Sequence, residues 1–420
     1  MSENQRRFLE QLFKVSVQAA DPLHCLAEFL PEKPKGRTII LGAGKAAASM
    51  AKVVENEWGS KSEGLVVTRY DHGLPLDYIE VVEAAHPVPD AAGMDAAHRI
   101  FDLACGANED DLVLCLMSGG ASALLSLPGE GLDLAHKQAI NKALLRSGAN
   151  ITEMNCVRKH LSAIKGGRLA LAASPAKVVT LAISDIPGDD PATIGSGPSL
   201  GDVTTALEAI AILRKYEIDV PDPVAKFLMS KAGETPVPED VRLKGNEFHM
   251  IATPQKSLEA AAELARSQNI TPIILGDSIE GEAREVAIVM AGIARQVKNH
   301  SQPAHPPCVL LSGGETTVTV KGNGRGGRNA EFLLSLLNEL KGCSGVHAIA
   351  CDTDGIDGSE DNAGAYFGPK SYDHAKNAKL DPEEYLNRND GYGFFAELDT
   401  LIFTGATRTN VNDFRAVLIN

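Results

Sequence analysis

Strand-length apolar runs that break into glycine or serine turns and pass into alanine-rich helical stretches recur through most of this chain. "RTIILGAG" passes into "KAAASMAKVVENEW", and "DAAGMDAAHRIFDLAC" precedes "DLVLCLMSGG". "VVTLAISD", "FHMIAT" followed by "PQKSLEAAAELARSQ", and "TPIILGDS" repeat the rhythm. Runs this short and this uniformly apolar suit strands buried on both faces, and the intervening helices suit crossovers between parallel strands. The expected class is α/β with mostly parallel sheets, and in such folds the chemistry collects at the carboxyl ends of the strands.

A chain of 420 residues is too long for one ordinary core, so two domains are expected. The segment 215–248, rich in proline and charge, interrupts the rhythm and places the boundary near 235, giving domains 1–235 and 236–420. "KNHSQPAHPP" (298–307) reads as a surface loop before another buried strand. A net charge of -15 argues against a nucleic-acid surface, yet leaves room for a local cationic pocket that takes small anions. The seven cysteines are scattered, with no C-x-x-C pair, and read as buried thiols in a reducing compartment. The N-terminal stretch carries Phe8, Leu9, Leu12, Phe13, Val15 and Val17 at helical spacing with acids interspersed, unlike a targeting peptide. No apolar run approaches the roughly 20 residues that span a bilayer, so a cytoplasmic protein without membrane contact is expected.

Lys45 is the most awkward residue for a plain turn. In "GAGKAAAS", Gly42, Gly44 and Ala47 fit the G-x-G-x-x-A spacing of a dinucleotide turn, but Lys45 falls where the helix dipole already presents positive charge. An anion would neutralise it. The following strand ends Thr68-Arg69-Tyr70 without the acid that holds a ribose, and no G-x-x-x-x-G-K-[ST] loop occurs. A structural turn, a phosphate-binding lysine and a dinucleotide site all remain open on spacing alone.

Other stretches offer chemistry beside plainer readings. Ser118-Gly119-Gly120 with Ser122 either nests an anion on backbone N–H groups or simply turns strand into helix. Arg158, Lys159, His160, Lys165 and Arg168 form either a solvated helix face or a cationic wall for a carboxylate or phosphate. Asp185 ends a strand and leads to Asp190, Ser196 and Gly197, where Mg²⁺ or a substrate hydroxyl could be held. In "GNGRGGRN", Arg325 and Arg328-Asn329 sit among Gly322, Gly324, Gly326 and Gly327, a pattern suited to gripping phosphate oxygens. Asp352 and Asp354 follow another buried run but fail the EF-hand pattern; Mg²⁺ needs only one or two carboxylates plus phosphates. There is no zinc spacing and no G-x-S-x-G elbow. "MSGGASALL" is echoed by Ser312-Gly313-Gly314-Glu315, either by chance or as a similar turn used once in each domain.

Taken in order, "GAGKAAASMA", "HPVPDAAG", "MSGGASALL", "VRKHLSAIKGG", "ISDIPGDDPATIGSGP", "SGGETTVTV", "GRGGRNAE", "TDGIDGSEDNAGA" and "TNVND" resemble the class II glycerate 2-kinases, the group with a C-terminal MOFRL domain. Some of that group are labelled hydroxypyruvate reductases. The resemblance runs from about Phe8 to Phe414. It implies a Rossmann-like α/β/α N-terminal domain, a smaller α/β MOFRL-type C-terminal domain and a site in an interdomain cleft. It implies ATP-dependent phosphorylation of the 2-hydroxyl of D-glycerate to 2-phosphoglycerate and places the family's catalytic lysine and arginine on Lys45 and Arg328.

On that basis ATP and Mg²⁺ are expected, with a homodimer allowed. Arg325 would assist Lys45 and Arg328, and Asp185 would orient the attacking hydroxyl. One or two of Asp185, Asp190, Asp352 and Asp354 would hold the metal. Gly44, Ser118, Gly119, Gly120, Ser122, Ser196, Gly197, Gly313, Gly314, Glu315, Asn329, Asn410 and Asp413 would line substrate and phosphates, with Arg158 or Lys159 on the carboxylate. Two departures stand out: Thr404–Asp413 reads TGATRTNVND where the family usually has TGPTGTNVND, and Ala330 replaces the usual glutamine. An NAD(P)H-dependent hydroxypyruvate reductase and a non-catalytic sugar-acid-binding module are the alternative readings.

Overall fold

Six strands form the first sheet: β1 (Thr38–Ala43), β2 (Ser62–Arg69), β3 (Ile79–Ala84), β4 (Leu112–Met117), β5 (Lys177–Ile183) and β6 (Glu247–Ala252). Their order is β3-β2-β1-β4-β5-β6, the order of a Rossmann sheet, and the pairs from β3 through β5 are parallel. Every residue of β1 and β4 is buried, which explains why they are apolar apart from Thr38. Ala43 pairs with Val67 and Met117, and Met117 with Ala182. The register therefore brings the turns after β1, β4 and β5 out at one edge of the sheet.

The computed structural model describes residues 3–420, which divide into two compact units. The first comprises Pro22–Ser184 and Asp189–Ile251. The second comprises the described part of Met1–Asp21 with Asp185–Gly188 and Ala252–Asn420. This division departs from the expected 1–235 and 236–420. The stretch around 235 is not a linker: Arg168 donates to the carbonyls of Ala232, Gly233 and Glu234, and Thr235 donates to the buried Asp202. The chain then adds β6 to the first sheet before leaving it.

The second unit holds β7 (Thr271–Gly276), the short β8 (Gly281–Glu282), β9 (Cys308–Ser312) and the short β10 (Thr316–Thr317). It also holds β11 (Val346–Asp352), β12 (Gly364–Phe367), β13 (Leu401–Ile402) and β14 (Asp413–Ile419). Its main sheet runs β13-β12-β11-β14-β9-β7, and only β7–β9 is parallel; the other four pairs are antiparallel. The expectation of mostly parallel sheets thus fails here. The reason lies in the connections: β11 reaches β12 through a loop without a helix, so the chain returns antiparallel. β8 and β10 pair separately.

Alternate residues of this sheet feed two cores. Val309, Leu311, Ile349, Ala416 and Leu418 face Phe8, Leu9, Leu12 and Phe13 of the helix Glu3–Ala19, together with Leu258, Ala261 and Ala262 of the helix Pro254–Ser267. Cys308, Leu310, Ala348, Ala350 and Val417 face the helices Ala283–His300 and Arg328–Leu340. The period of two gives a three-layer α/β/α unit. Its outer layer includes the N-terminal helix, because four large apolar side chains there find their cover on this sheet. None of the seven cysteines is paired in a disulfide among the described residues, and Cys115, Cys156, Cys308 and Cys351 are buried.

Candidate functional site

In the first unit, Gly42 is a strand residue of β1 and the turn proper begins at Gly44. Gly44 has φ +130, and a Cβ there would lie 2.2 Å from Ser118 Oγ. The glycine lets two strand ends touch. Across that contact Lys45 N donates to Gly119 O (2.8 Å), Ala46 N donates to Ser118 Oγ (3.0 Å) and Ala47 N donates to Gly44 O (3.1 Å). The amides that would cradle a pyrophosphate already have protein partners. Gly120, at φ +83, is flanked by Lys45 and His86: a Cβ there would sit 3.0 Å from His86 Nε2 and 3.6 Å from Lys45 Cγ. His86 follows β3, so the register that aligns the strand ends also delivers an imidazole beside Lys45.

One turn on, Ser122 Oγ and Ser196 Oγ are 2.8 Å apart, and Ser196 donates to Asn155 Oδ1 (3.3 Å). Gly195, Ser196 and Gly197 all have left-handed backbones (φ 59, 62 and 60). A buried serine in that region is strained by about 1–2 kcal/mol, the kind of cost retained where a loop must present particular groups. The fold supports it: Gly166 N and Gly167 N donate to Ser196 O and Gly197 O, and buried Lys165 donates to Ser122 O (2.8 Å) and Gly195 O (3.1 Å). Burial, then Lys137 and Arg158, hold the Lys165 ammonium well below its ordinary pKa.

The cations predicted as a wall are largely engaged internally. Lys159 pairs with buried Asp202 at 3.3 Å; His160 bonds Gly233 O; Arg168 binds backbone carbonyls, including Lys159 O. Arg158 donates through Nε to Asn141 (2.9 Å). Asp190 is exposed and accepts from Ala192 N and Thr193 Oγ1, closing its own turn.

In the second unit, Arg328 opens a helix and meets three carboxylates: Asp413 (2.7 Å), Glu315 (2.9 Å) and Asp352 (2.9 Å). Burial opposes its charge, but Asp413, Asp352 and Glu315 outweigh burial and raise its pKa well above the usual value. Asn329 is fully buried and donates to Asp413 Oδ1 (2.8 Å). Asp357 caps this helix from another loop, accepting from Asn329 N (2.9 Å) and Ala330 N (2.8 Å). Burial pushes its carboxyl up to about 6, although those two amides favour the anion. Asp413 also pairs with Arg415, a fully buried arginine that donates to Gly313 O.

Arg325 is separate from this network: its guanidinium pairs with Glu360 and lies 4.1 Å over the Tyr392 ring. Gly313 N donates to Gly276 O, and Gly314 (φ +111) abuts Ile279, so these glycines serve packing. Asp352 accepts from Asp354 N, and Asp354 accepts from Ile356 N. Asn410 donates to Asp185 (2.9 Å), which joins this unit. The altered Thr404–Asp413 turn keeps hold of the acidic loop, since Thr407 donates to Asp354 O and Thr353 O. Among the described residues no group of three His, Cys, Asp or Glu side chains is placed to hold a metal, and no helix is long and apolar enough to cross a membrane.

His86, Lys137, Asp357 and Arg415 were not singled out by the sequence. Arg415 left a signal, a charge inside the apolar run "DFRAVLI"; Lys137 left none, because its helix looks solvated.

Residues 8–229 match a domain of unknown function, DUF4147, and residues 308–413 match the MOFRL family. A D-glycerate 2-kinase of Thermotoga maritima is 40% identical over 99% of this chain and 99% of its own length. A protein of Agrobacterium vitis that carries the provisional name hydroxypyruvate reductase is 50% identical, covering 99% of this chain and 94% of that protein. The crystal structure of a glycerate kinase from Thermotoga maritima superposes with a TM-score of 0.91 over the full length of both chains.

Proposed function

Because the chain belongs to the MOFRL-containing class II glycerate 2-kinase family, we propose that it transfers the γ-phosphoryl group of ATP to the 2-hydroxyl of D-glycerate, giving 2-phosphoglycerate and ADP. The observation that carries this reading is the turn at Gly44–Ala47. Its amides are engaged by Ser118 and Gly119, which disfavours a nicotinamide dinucleotide there, and a lysine in that turn is the residue type that serves a phosphoryl group. That same point weighs against reduction of hydroxypyruvate, despite the name of the Agrobacterium relative.

Phosphoryl transfer rests on positioning and on stabilising charge over the transferring oxygens. Lys45 and Arg328 are assigned to that charge. Lys45 brings a compact ammonium, and Arg328, fixed by three carboxylates, a planar fork of set orientation. Arg325, exposed and stacked on Tyr392, is given at most an outer role toward the nucleotide. Asp185, oriented by Asn410, is assigned to the attacking hydroxyl. The donor set fits Mg²⁺ only as an ion carried by the nucleotide, held by one or two of Asp185, Asp352 and Asp354, since no wholly protein cage exists among the described residues. Asp190 fits poorly, because both its oxygens close its own turn. Bound there, the ion would neutralise phosphate charge. A homodimer and a cytoplasmic setting remain part of the proposal.

Incubation with ATP, Mg²⁺ and D-glycerate, followed by phosphorus NMR, tests the reading. A phosphate ester on the secondary hydroxyl is expected. An ester on the primary hydroxyl, or oxidation of NADH by hydroxypyruvate without phosphoryl transfer, would overturn it.

A further inference from the structure

Around the Ser122–Ser196 hydroxyl pair, the first unit buries more positive charge than it neutralises. Asp202 is the buried carboxylate in this region, and it faces Lys159 (3.3 Å) and His160 (3.7 Å). Arg168 is taken up by four backbone carbonyls. Lys137, Arg158 and Lys165 form no ion pair among the described residues, and the charges that act on Lys137 and Lys165 are other cations. Lys165 is satisfied by three oxygens of the two serine loops. Lys137 is not: it is 7% exposed, and its ammonium has one long bond, to Leu127 O at 3.4 Å. Burial and then Arg158 and Arg168 press its pKa down to about 7.

The geometry brings these groups to one place. Lys137 and Asn141 lie one turn apart on the helix Leu134–Ser147, and Asn141 receives Arg158 Nε, which sets the guanidinium beside the lysine. The terminal nitrogens of Arg158 have no partner among the described residues, so its fork remains available. Asn155 and Arg158 share a face of the helix Ile151–His160, and Asn155 ties that face to Ser196 and through it to Ser122. A lysine and an arginine side by side, without an acid, repel each other and disfavour the charged lysine until an anion joins them.

We propose that Lys137 and Arg158 together form the receptor for a small oxyanion, the carboxylate of the hydroxy-acid substrate, with the Ser122–Ser196 hydroxyls lining the adjoining space. The proposal rests on the glycerate reading for the identity of the acid but not for the presence of the site. The planar fork of Arg158 matches a carboxylate in two hydrogen bonds, and Lys137 supplies a point charge beside it.

Calorimetric titration of D-glycerate into the whole chain without ATP tests this, with ATP titrated separately. Lys137→Met keeps the apolar stem and removes the charge; Arg158→Gln removes the fork at a half-buried position. Each should weaken D-glycerate binding roughly 10- to 100-fold, the size of one charge-assisted contact, while ATP binding stays within about twofold. Arg158→Lys should recover part of the loss. If Lys137→Met does not fold, Arg158→Gln decides the matter. Unchanged glycerate affinity in a folded variant overturns the proposal, as does a loss confined to ATP, which would assign the cations to a donor phosphate. Wild type that binds D-glycerate through these residues but never phosphorylates it would end the kinase reading and leave the receptor standing.

Discussion

The chain uses Ser-Gly-Gly twice at the end of a buried strand, and the two copies do different work. After β4, Ser118 Oγ and Gly119 O clamp the amides of Ala46 and Lys45, and Gly120 leaves room for the Lys45 stem and the His86 ring. After β9, Gly313 N bonds back to Gly276 O, Gly314 lies against the Ile279 backbone, and Gly314 O takes the amide of Asp413. Ser312 Oγ has no hydrogen-bond partner among the described residues. The first copy sits between parallel strand ends that emerge together, so it builds a turn facing outward. The second has an antiparallel neighbour in β14, and its glycines are consumed in joining strands. The same triplet clamps a lysine-bearing turn in one setting and makes a packing joint in the other. The cations follow suit. Lys45 belongs to a turn whose backbone is satisfied by other backbone and hydroxyl groups, whereas Arg328 is held by carboxylates.

Substituting the two cations should separate these roles most sharply. Arg328→Met takes the shared guanidinium away from buried Asp413 and Asp352, and a loss of about 3–5 kcal/mol in denaturant unfolding is expected alongside loss of turnover. Lys45→Ala should lower turnover roughly 100- to 1000-fold while changing stability by less than about 1 kcal/mol. A stable Arg328→Met protein, or full turnover in Lys45→Ala, would dissolve the contrast.

A methyl group in each glycine turn gives the next largest effect. In Gly314→Ala the new Cβ meets Ile279 backbone atoms at 2.3 Å, which cannot yield easily, so stability should fall by on the order of 3 kcal/mol. In Gly120→Ala the nearest atoms belong to side chains, and the expected change is about 1–2 kcal/mol. Turnover should nevertheless fall, by roughly 100-fold if Lys45 and His86 are displaced by about 1 Å. Thermal melts and steady-state rates on both variants check the pair; equal stability losses would mean that the turns are equivalent after all.

The two units also differ in pH dependence. Asp357 has its pKa raised to about 6 from 3.8, so the folded chain holds a proton that the unfolded chain has released. Its contribution to stability is present below about pH 4 and is lost, by about 3 kcal/mol, as pH rises through 6. Lys137, lowered from 10.5 to about 7, acts in another window and the opposite sense: stability should rise as pH goes from about 7 to 10, where the unfolded chain carries the extra proton. Urea midpoints of Asp357→Asn and Lys137→Met relative to wild type across these ranges test both signs, and flat differences would show that neither group titrates as described.

Much of the first unit was legible in residue order. Buried parallel strands must be apolar throughout, so β1, β4 and β5 announce themselves, and Gly44, Lys45 and Ser118 to Gly120 mark where they end. The second unit was less legible. An apolar run such as "HAIACD" in β11 is equally consistent with parallel or antiparallel neighbours, and the loop length before β12 decides between them only once β12 is recognised. The cationic stretch 155–170 shows the same limit at the level of side chains. Sequence counts the charges, but Asp202 and the carbonyls of 232–234, which occupy Lys159 and Arg168, come from distant segments.

By itself, then, the sequence determined the α/β character, the positions of the glycine turns and the residue types available for phosphoryl chemistry, because each depends on neighbours along the chain. Tertiary structure alone decided that the N-terminal helix covers the second sheet and that His86 joins Lys45. It also decided that Arg328 is locked by Asp413, Asp352 and Glu315, and that Lys137 and Arg158 stand together without an acid. Those outcomes depend on which distant groups share a buried volume, and charge neutralisation in a low dielectric is settled by that neighbourhood.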